Sequence, residues 1–98
     1  MGAAASVYSV AANGGRHAGF LRQAAAWTTV QLQRSVRSFQ SVIELHEAKI
    51  ENPAAYAADW GTRSVQAQQG LLRYWAKEIT NYAEQQSIVE ELLFRRGQ

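Results

Sequence analysis

The apolar positions of this chain fall into two helical stripes joined at its only proline. From about His17 to Ile50, the residues Leu32, Val36, Phe39, Ile43, His46 and Ile50 recur at steps of 4, 3, 4, 3 and 4. That is the heptad seam of a helix that faces a partner. Upstream, Phe20, Ala24, Trp27 and Gln31 form a similar stripe slightly out of phase, the offset a stutter produces. From Pro53 to about Arg95 the alternation is unbroken: Val65, Gln68, Leu72, Trp75, Ile79, Tyr82, Gln86, Val89 and Leu93 follow at steps of 3 and 4. A second stripe of Tyr56, Trp60, Ala67, Leu71 and Tyr74 widens the apolar face of the N-terminal half. A face wider than one seam implies more than one neighbour. Arg34, Arg37, Glu44, Glu47 and Lys49 fall largely off the seam, as a solvated face requires.

The breakers divide these stripes. Asn52 is a favoured N-cap, and proline is best tolerated at the first helical position. Pro53 also pushes the residue before it out of the α region, so a helix ending near Ile50 cannot run straight through. Asn52 and Pro53 are therefore the expected hinge between helix 1, about 17–50, and helix 2, about 53–95. Gly97 is the expected stop. Gly61 and Gly70 fall inside the second helix, each costing about 1 kcal/mol relative to alanine. Close approach of another backbone or a large ring would account for that cost, above all at Gly61 beside Trp60. Residues 1–16 are rich in Ala, Ser and Gly, with Asn13-Gly14-Gly15 as a breaker, and are expected to form a flexible segment ahead of a helical domain over 17–98. Met1-Gly2-Ala3-Ala4-Ala5-Ser6 also fits the short N-myristoylation pattern, which matches often by chance. The expected fold is all-α: two long amphipathic helices forming a helical hairpin that assembles into an oligomeric coiled-coil bundle.

Composition narrows the function. Ninety-eight residues make one small domain, and two helices alone bury little surface, so a homo-oligomer or a larger partner is expected. Without cysteine there is no disulfide framework, thiolate nucleophile or cysteine-ligated metal, which fits a cytoplasmic location. Ten Lys/Arg against eight Asp/Glu leave a net charge of +2, and both signs are scattered. Nucleic-acid binders gather their basic residues on one face, so no nucleic-acid partner is expected. No apolar run approaches the roughly 20 residues of a transmembrane segment.

Candidate chemistry is sparse. His17 and His46 are the only imidazoles, and His46 on the seam reads as a partly buried polar residue that tunes register. Glu44 and Glu47 flank it, but a carboxylate-bundle metal site needs Glu-x-x-His on two helices. Ile43 stands three before His46, and the second helix has no histidine. No Gly-x-Ser-x-Gly elbow, phosphate-cradling loop or His-Glu-x-x-His occurs. The expectation is a non-enzymatic protein without catalytic, metal or cofactor site. Its ten aromatics then either fill the core of an oligomeric bundle or face an apolar surface, where Trp and Tyr suit the boundary.

The run "NPAAYAADWGTRSVQAQQGLLRYWAKEITNYAEQQ" resembles the C-terminal helix of bacterial phasins, small proteins that coat polyhydroxyalkanoate storage granules. Asn52-Pro53, Gln66 to Gln69, Leu71-Leu72, Tyr74 and Asn81-Tyr82-Ala83 carry the likeness. The preceding "QLQRSVRSFQSVIELHEAKIE" is similar to the family's first amphipathic helix, and the resemblance spans about Leu32 to Glu91. It implies an oligomerising helical amphiphile that binds an apolar granule surface in the cytoplasm and limits coalescence. The residues expected at the apolar surface or oligomer interface are Leu32, Val36, Phe39, Ile43, Val65, Leu72, Trp75, Ile79, Tyr82, Val89 and Leu93. The alternatives are a self-assembling coiled-coil adaptor and a secreted WXG-type helical hairpin. The second rests on the adjacent pair Trp60-Gly61, and on Tyr74 and Glu78 at the i, i+4 spacing of that family's export signal.

Overall fold

The computed structural model describes residues 6–98 and is mostly helical, with no strand among them. Four α-helices follow in order: α1 (Val7–Ala12), α2 (Ala18–Ala25), α3 (Thr29–Glu51) and α4 (Val65–Arg95). The acylation pattern at the chain start, and the first residues of the segment expected to be flexible, lie outside the described residues.

Val7–Ala12 of that segment is helical. Ser6 caps α1 by accepting from the Ser9 amide, and the helix buries Ala11. Asn13-Gly14-Gly15 does break the chain, in a specific way. Gly14 adopts φ +87°, and the Gly14 and Gly15 amides return to the carbonyls of Ala11 and Val10 at 3.1 and 2.9 Å. This is a Schellman closure, and it turns α1 back toward α2. A Cβ on Gly15 would sit 2.8 Å from Val10 Cγ1, so the turn is tight enough to require glycine there.

The single helix expected over 17–50 is instead two, broken at Ala26-Trp27-Thr28. Thr28 accepts from the Gln31 amide at 3.1 Å, and the Gln31 side chain accepts from the Thr28 amide at 2.8 Å. That reciprocal capping box starts a new helix. The phase offset between the Phe20–Gln31 stripe and the Leu32 seam is thus a change of helix, not a stutter.

The second helix starts later than Pro53. Asn52 ends α3 with a non-helical backbone, φ −137° and ψ 74°, and makes no capping side-chain bond. Pro53 opens only a 3₁₀ turn, Pro53–Ala55, and a second follows at Trp60–Thr62. Ser64 is the true cap of α4, accepting from the Ala67 amide at 3.1 Å. At the far end Gly97, φ +83°, makes the expected stop: Gly97 and Gln98 return to Phe94 and Leu93, both at 3.0 Å. Neither glycine accommodates a ring. Gly61 lies outside α4 with nothing near its missing Cβ, and Gly70 meets only the Arg73 guanidinium at 3.9 Å.

Helices α3 and α4 run antiparallel. Arg96 reaches Thr29 Oγ1 and the Ala25 carbonyl at 3.3 and 3.2 Å, while Lys49 lies 5.8 Å over the Trp75 ring. Helices α1 and α2 pack across the C-terminal half of α4, so the core sits at one end of the molecule. Ala11, Leu21, Ala24, Leu32, Ile88, Val89 and Leu92 form it. At the opposite end only Trp75 is buried among the described residues. The radius of gyration, 16.5 Å, exceeds the about 13 Å of a compact chain this long, because that end of α3 and α4 projects beyond the core.

Candidate functional site

The residues expected at an interface divide into two groups. Leu32, Trp75 and Val89 are buried, and Val36, Phe39, Ile43, Leu72, Ile79, Tyr82 and Leu93 are half-buried. Much of this seam is spent within the chain. Phe39 lies 6.1 Å from Tyr82, which in turn lies 5.9 Å from His46. Phe20 extends the row from Phe39 to Trp27 in edge-on contacts of 6.0 and 5.8 Å. Val65 departs from the seam altogether. It is 68 % exposed at the first turn of α4, where the non-helical Asn52 and the 3₁₀ turns carry α3 away from it.

Sequence periodicity read only the first half of the second seam of α4. Ala67, Leu71, Tyr74, Glu78, Asn81, Gln85, Ile88 and Leu92 also step by 4 and 3. From Asn81 onward α1 and α2 cover this stripe, leaving Ile88 at 0 % and Leu92 at 8 % exposure. Over Ala67, Leu71 and Tyr74 no described helix closes on it: Ala67 and Tyr74 are exposed and Leu71 is half-buried. Tyr74 is 55 % exposed and Tyr56, in the connection, 48 %. The wide face read from the sequence is real; its upper half is left largely open by the described residues.

A polar clamp marks the boundary between the covered and open halves. Arg16 Nε donates to Glu84 Oε1 at 2.7 Å, His17 Nε2 donates to the same oxygen at 2.9 Å, and Arg16 also reaches Asn81 at 3.3 Å. His17 holds a left-handed backbone, φ 71°, which points its ring into a cleft of about 200 Å³ beside Val7 and Val10. The His17 hydrogen bond first, and then Arg16, hold the Glu84 carboxyl below its ordinary value of 4.5. A depressed acid pKa stabilises the fold above the unfolded value, and that contribution is lost as pH falls through the folded value. We expect wild type to lose up to about 1 kcal/mol more than Glu84→Gln between about pH 6 and about pH 3, the ceiling of an exposed pair. Parallel urea melts of the two at both pH values test this. Equal losses would mean that the clamp contributes nothing.

His46 serves the fold as well: its Nδ1–H donates to the Val42 carbonyl at 2.8 Å. Among the described residues no three His, Asp or Glu side chains converge as metal ligands.

A concavity lies between α3 and α4 on the side away from α1 and α2. It is a groove of about 480 Å³ lined by Gln40, Ile43, Glu44, Glu47, Ala83, Gln86 and Glu90. Through Glu90 it adjoins a more apolar hollow of about 370 Å³ at Val36, Leu93 and Phe94. Phe94, 74 % exposed, stands at its rim. Sequence reading placed Glu44 and Glu47 on a solvated face flanking His46; only the pairing of α3 with α4 makes them one wall of a groove. No protein-family model, curated protein or solved structure matches this chain.

Proposed function

We propose that this chain is a non-enzymatic, phasin-like amphipathic helical hairpin that coats an apolar surface, such as a polyhydroxyalkanoate storage granule in the cytoplasm, and self-associates there. The observation that carries the reading is the half-covered second stripe of α4. Leu71, Tyr74 and the flanking Tyr56 and Val65 offer apolar and aromatic surface at the end of the molecule with the least core. Tyrosine suits that role, because its ring enters the apolar phase while the hydroxyl stays hydrated. Among the described residues no helix is long and apolar enough to cross a membrane, and the reading places the attachment on a helical face.

The test is adsorption to polyhydroxybutyrate particles or hexadecane droplets. Leu71→Ser with Tyr74→Ser removes two large side chains, each worth about 1.5–3 kcal/mol when fully buried. Adsorption should fall at least about tenfold, with helix content unchanged because neither residue is buried. Wild-type indifference to both surfaces, or unaltered adsorption by the double variant, would refute the coating role. Trp75 is unsuitable for this purpose, since its burial makes any change there a stability experiment.

One observation favours a second reading. Trp60-Gly61 lies in the connection between α3 and α4, where the WXG-type secreted hairpins carry their Trp/Gly pair. Tyr74 and Glu78 lie inside α4, short of the C-terminal position that export signal takes. Binding confined to a protein partner, with no adsorption to droplets, would support this alternative.

A further inference from the structure

The groove between α3 and α4 carries three carboxylates, Glu44, Glu47 and Glu90, that enter no ion pair among the described residues. A complementary surface exists on the same chain. Val30, Arg34, Arg37, Ser41 and Leu45 follow at steps of 4, 3, 4 and 4 along the outer face of α3. All five are exposed, Val30 by 53 % and Leu45 by 44 %. Arg34 and Arg37 form no ion pair among the described residues either. One face is acidic and concave, the other basic and convex.

Their spacing matches. Glu44 and Glu47 stand one turn apart, as do Arg34 and Arg37. The stretch from Val36 to Glu47 on the groove wall and the stretch from Arg34 to Leu45 on the outer face each run about 16 Å along the helix. Laid antiparallel, Arg34 meets Glu47, Arg37 meets Glu44, Ser41 meets Gln40, and Leu45 meets the apolar hollow at Val36. We propose that the groove of one copy seats the outer face of α3 from a second copy in this register.

Glu44 stands seven residues from Arg37, so the two surfaces meet along one line of α3 and their charged centres lie less than a quarter of a turn apart. The register is its own reverse, because Arg34 opposite Glu47 and Arg37 opposite Glu44 recur when the copies are exchanged. The contact is therefore isologous and closes at a dimer. This rests on the self-association proposed above and names its surfaces. A dimer of that kind suits a coat, since the stripe at Leu71 and Tyr74 on α4 takes no part in the contact.

Charge reversal tests it. Glu44→Lys with Glu47→Lys and, separately, Arg34→Glu with Arg37→Glu should each hold the chain at monomer mass in light scattering. Wild-type mass should rise with concentration and fall with salt, which screens exposed charges. An equimolar mixture of the two variants should regain mass, because each supplies the face the other lacks. A wild type of one mass at every concentration, a variant that associates like wild type, or a mixture that stays monomeric would each overturn the contact. All the substituted residues are exposed; should circular dichroism show helix loss in a reversal variant, the Gln pairs at the same positions take its place. Droplet adsorption read in parallel separates the two ideas. Adsorption without rescue on mixing rejects the groove contact alone, and rescue without adsorption rejects the coating role alone.

Discussion

Replacing Ile88 with alanine should destabilise the protein by roughly 2–5 kcal/mol, the range for large-to-small changes in a closed core. Ile88 is 0 % exposed and packs among Ala11, Leu21, Ala24 and Leu92. Helices α1, α2 and α4 all converge on it, so no single one can relax to fill the void. A chain of this size has about 5–15 kcal/mol in total, and the loss would be a large part of that. Val65→Ala, in contrast, should fall within about 0.5 kcal/mol of wild type. Urea denaturation followed by far-ultraviolet circular dichroism reads both. A cost below about 1 kcal/mol at Ile88 would mean that α1 and α2 do not close a core against α4.

That pair of residues shows what the hydrophobic pattern could and could not reveal. Val65 opens the most regular seam in the sequence, and Ile88 lies off it. Periodicity reports which residues share a helical face, yet it carries no information about how far along that face a neighbour extends. The existence of α3 and α4 and the all-α class were legible, because runs of this length allow only one period. Boundaries were harder, since they depend on side-chain bonds. Thr28-x-x-Gln31 is a capping-box spacing that lies in plain view in the sequence, and it was outweighed by an apparently continuous run of helix formers. Pro53 is a strong breaker, but it marks where α3 ends, with α4 waiting for Ser64.

The candidate surfaces divide along the same line. Tyr56, Leu71 and Tyr74 were visible as excess apolar width, because width on one helix needs no knowledge of tertiary packing. The acidic groove was not visible. Glu44 and Glu47 come from α3 while Ala83, Gln86 and Glu90 come from α4, and only the antiparallel register makes them neighbours. The same holds for the clamp of Arg16 and His17 on Glu84, which joins residues at opposite ends of the chain. Local patterns reveal faces; sites built from two elements emerge only once the elements are docked.

Trp75→Ala should separate the two ends of the molecule. Trp75, 6 % exposed, is the only buried side chain among the described residues at the end away from the core, and Lys49 lies over its ring. Removing a buried Trp costs about 3–5 kcal/mol where the surroundings stay folded. Here the local stability is drawn almost entirely from that ring, so this end should open before the full cost is felt. Amide exchange reads the outcome directly. Protection should collapse over the C-terminal half of α3 and the first turns of α4, while amides near Ile88 and Leu92 keep most of theirs. The Leu71 and Tyr74 stripe would then sit on a frayed helix, and adsorption to droplets should weaken even though neither residue has changed. A uniform loss of protection along the chain would show instead that both ends unfold as one cooperative unit, and that the core around Ile88 supports the whole length of α3 and α4.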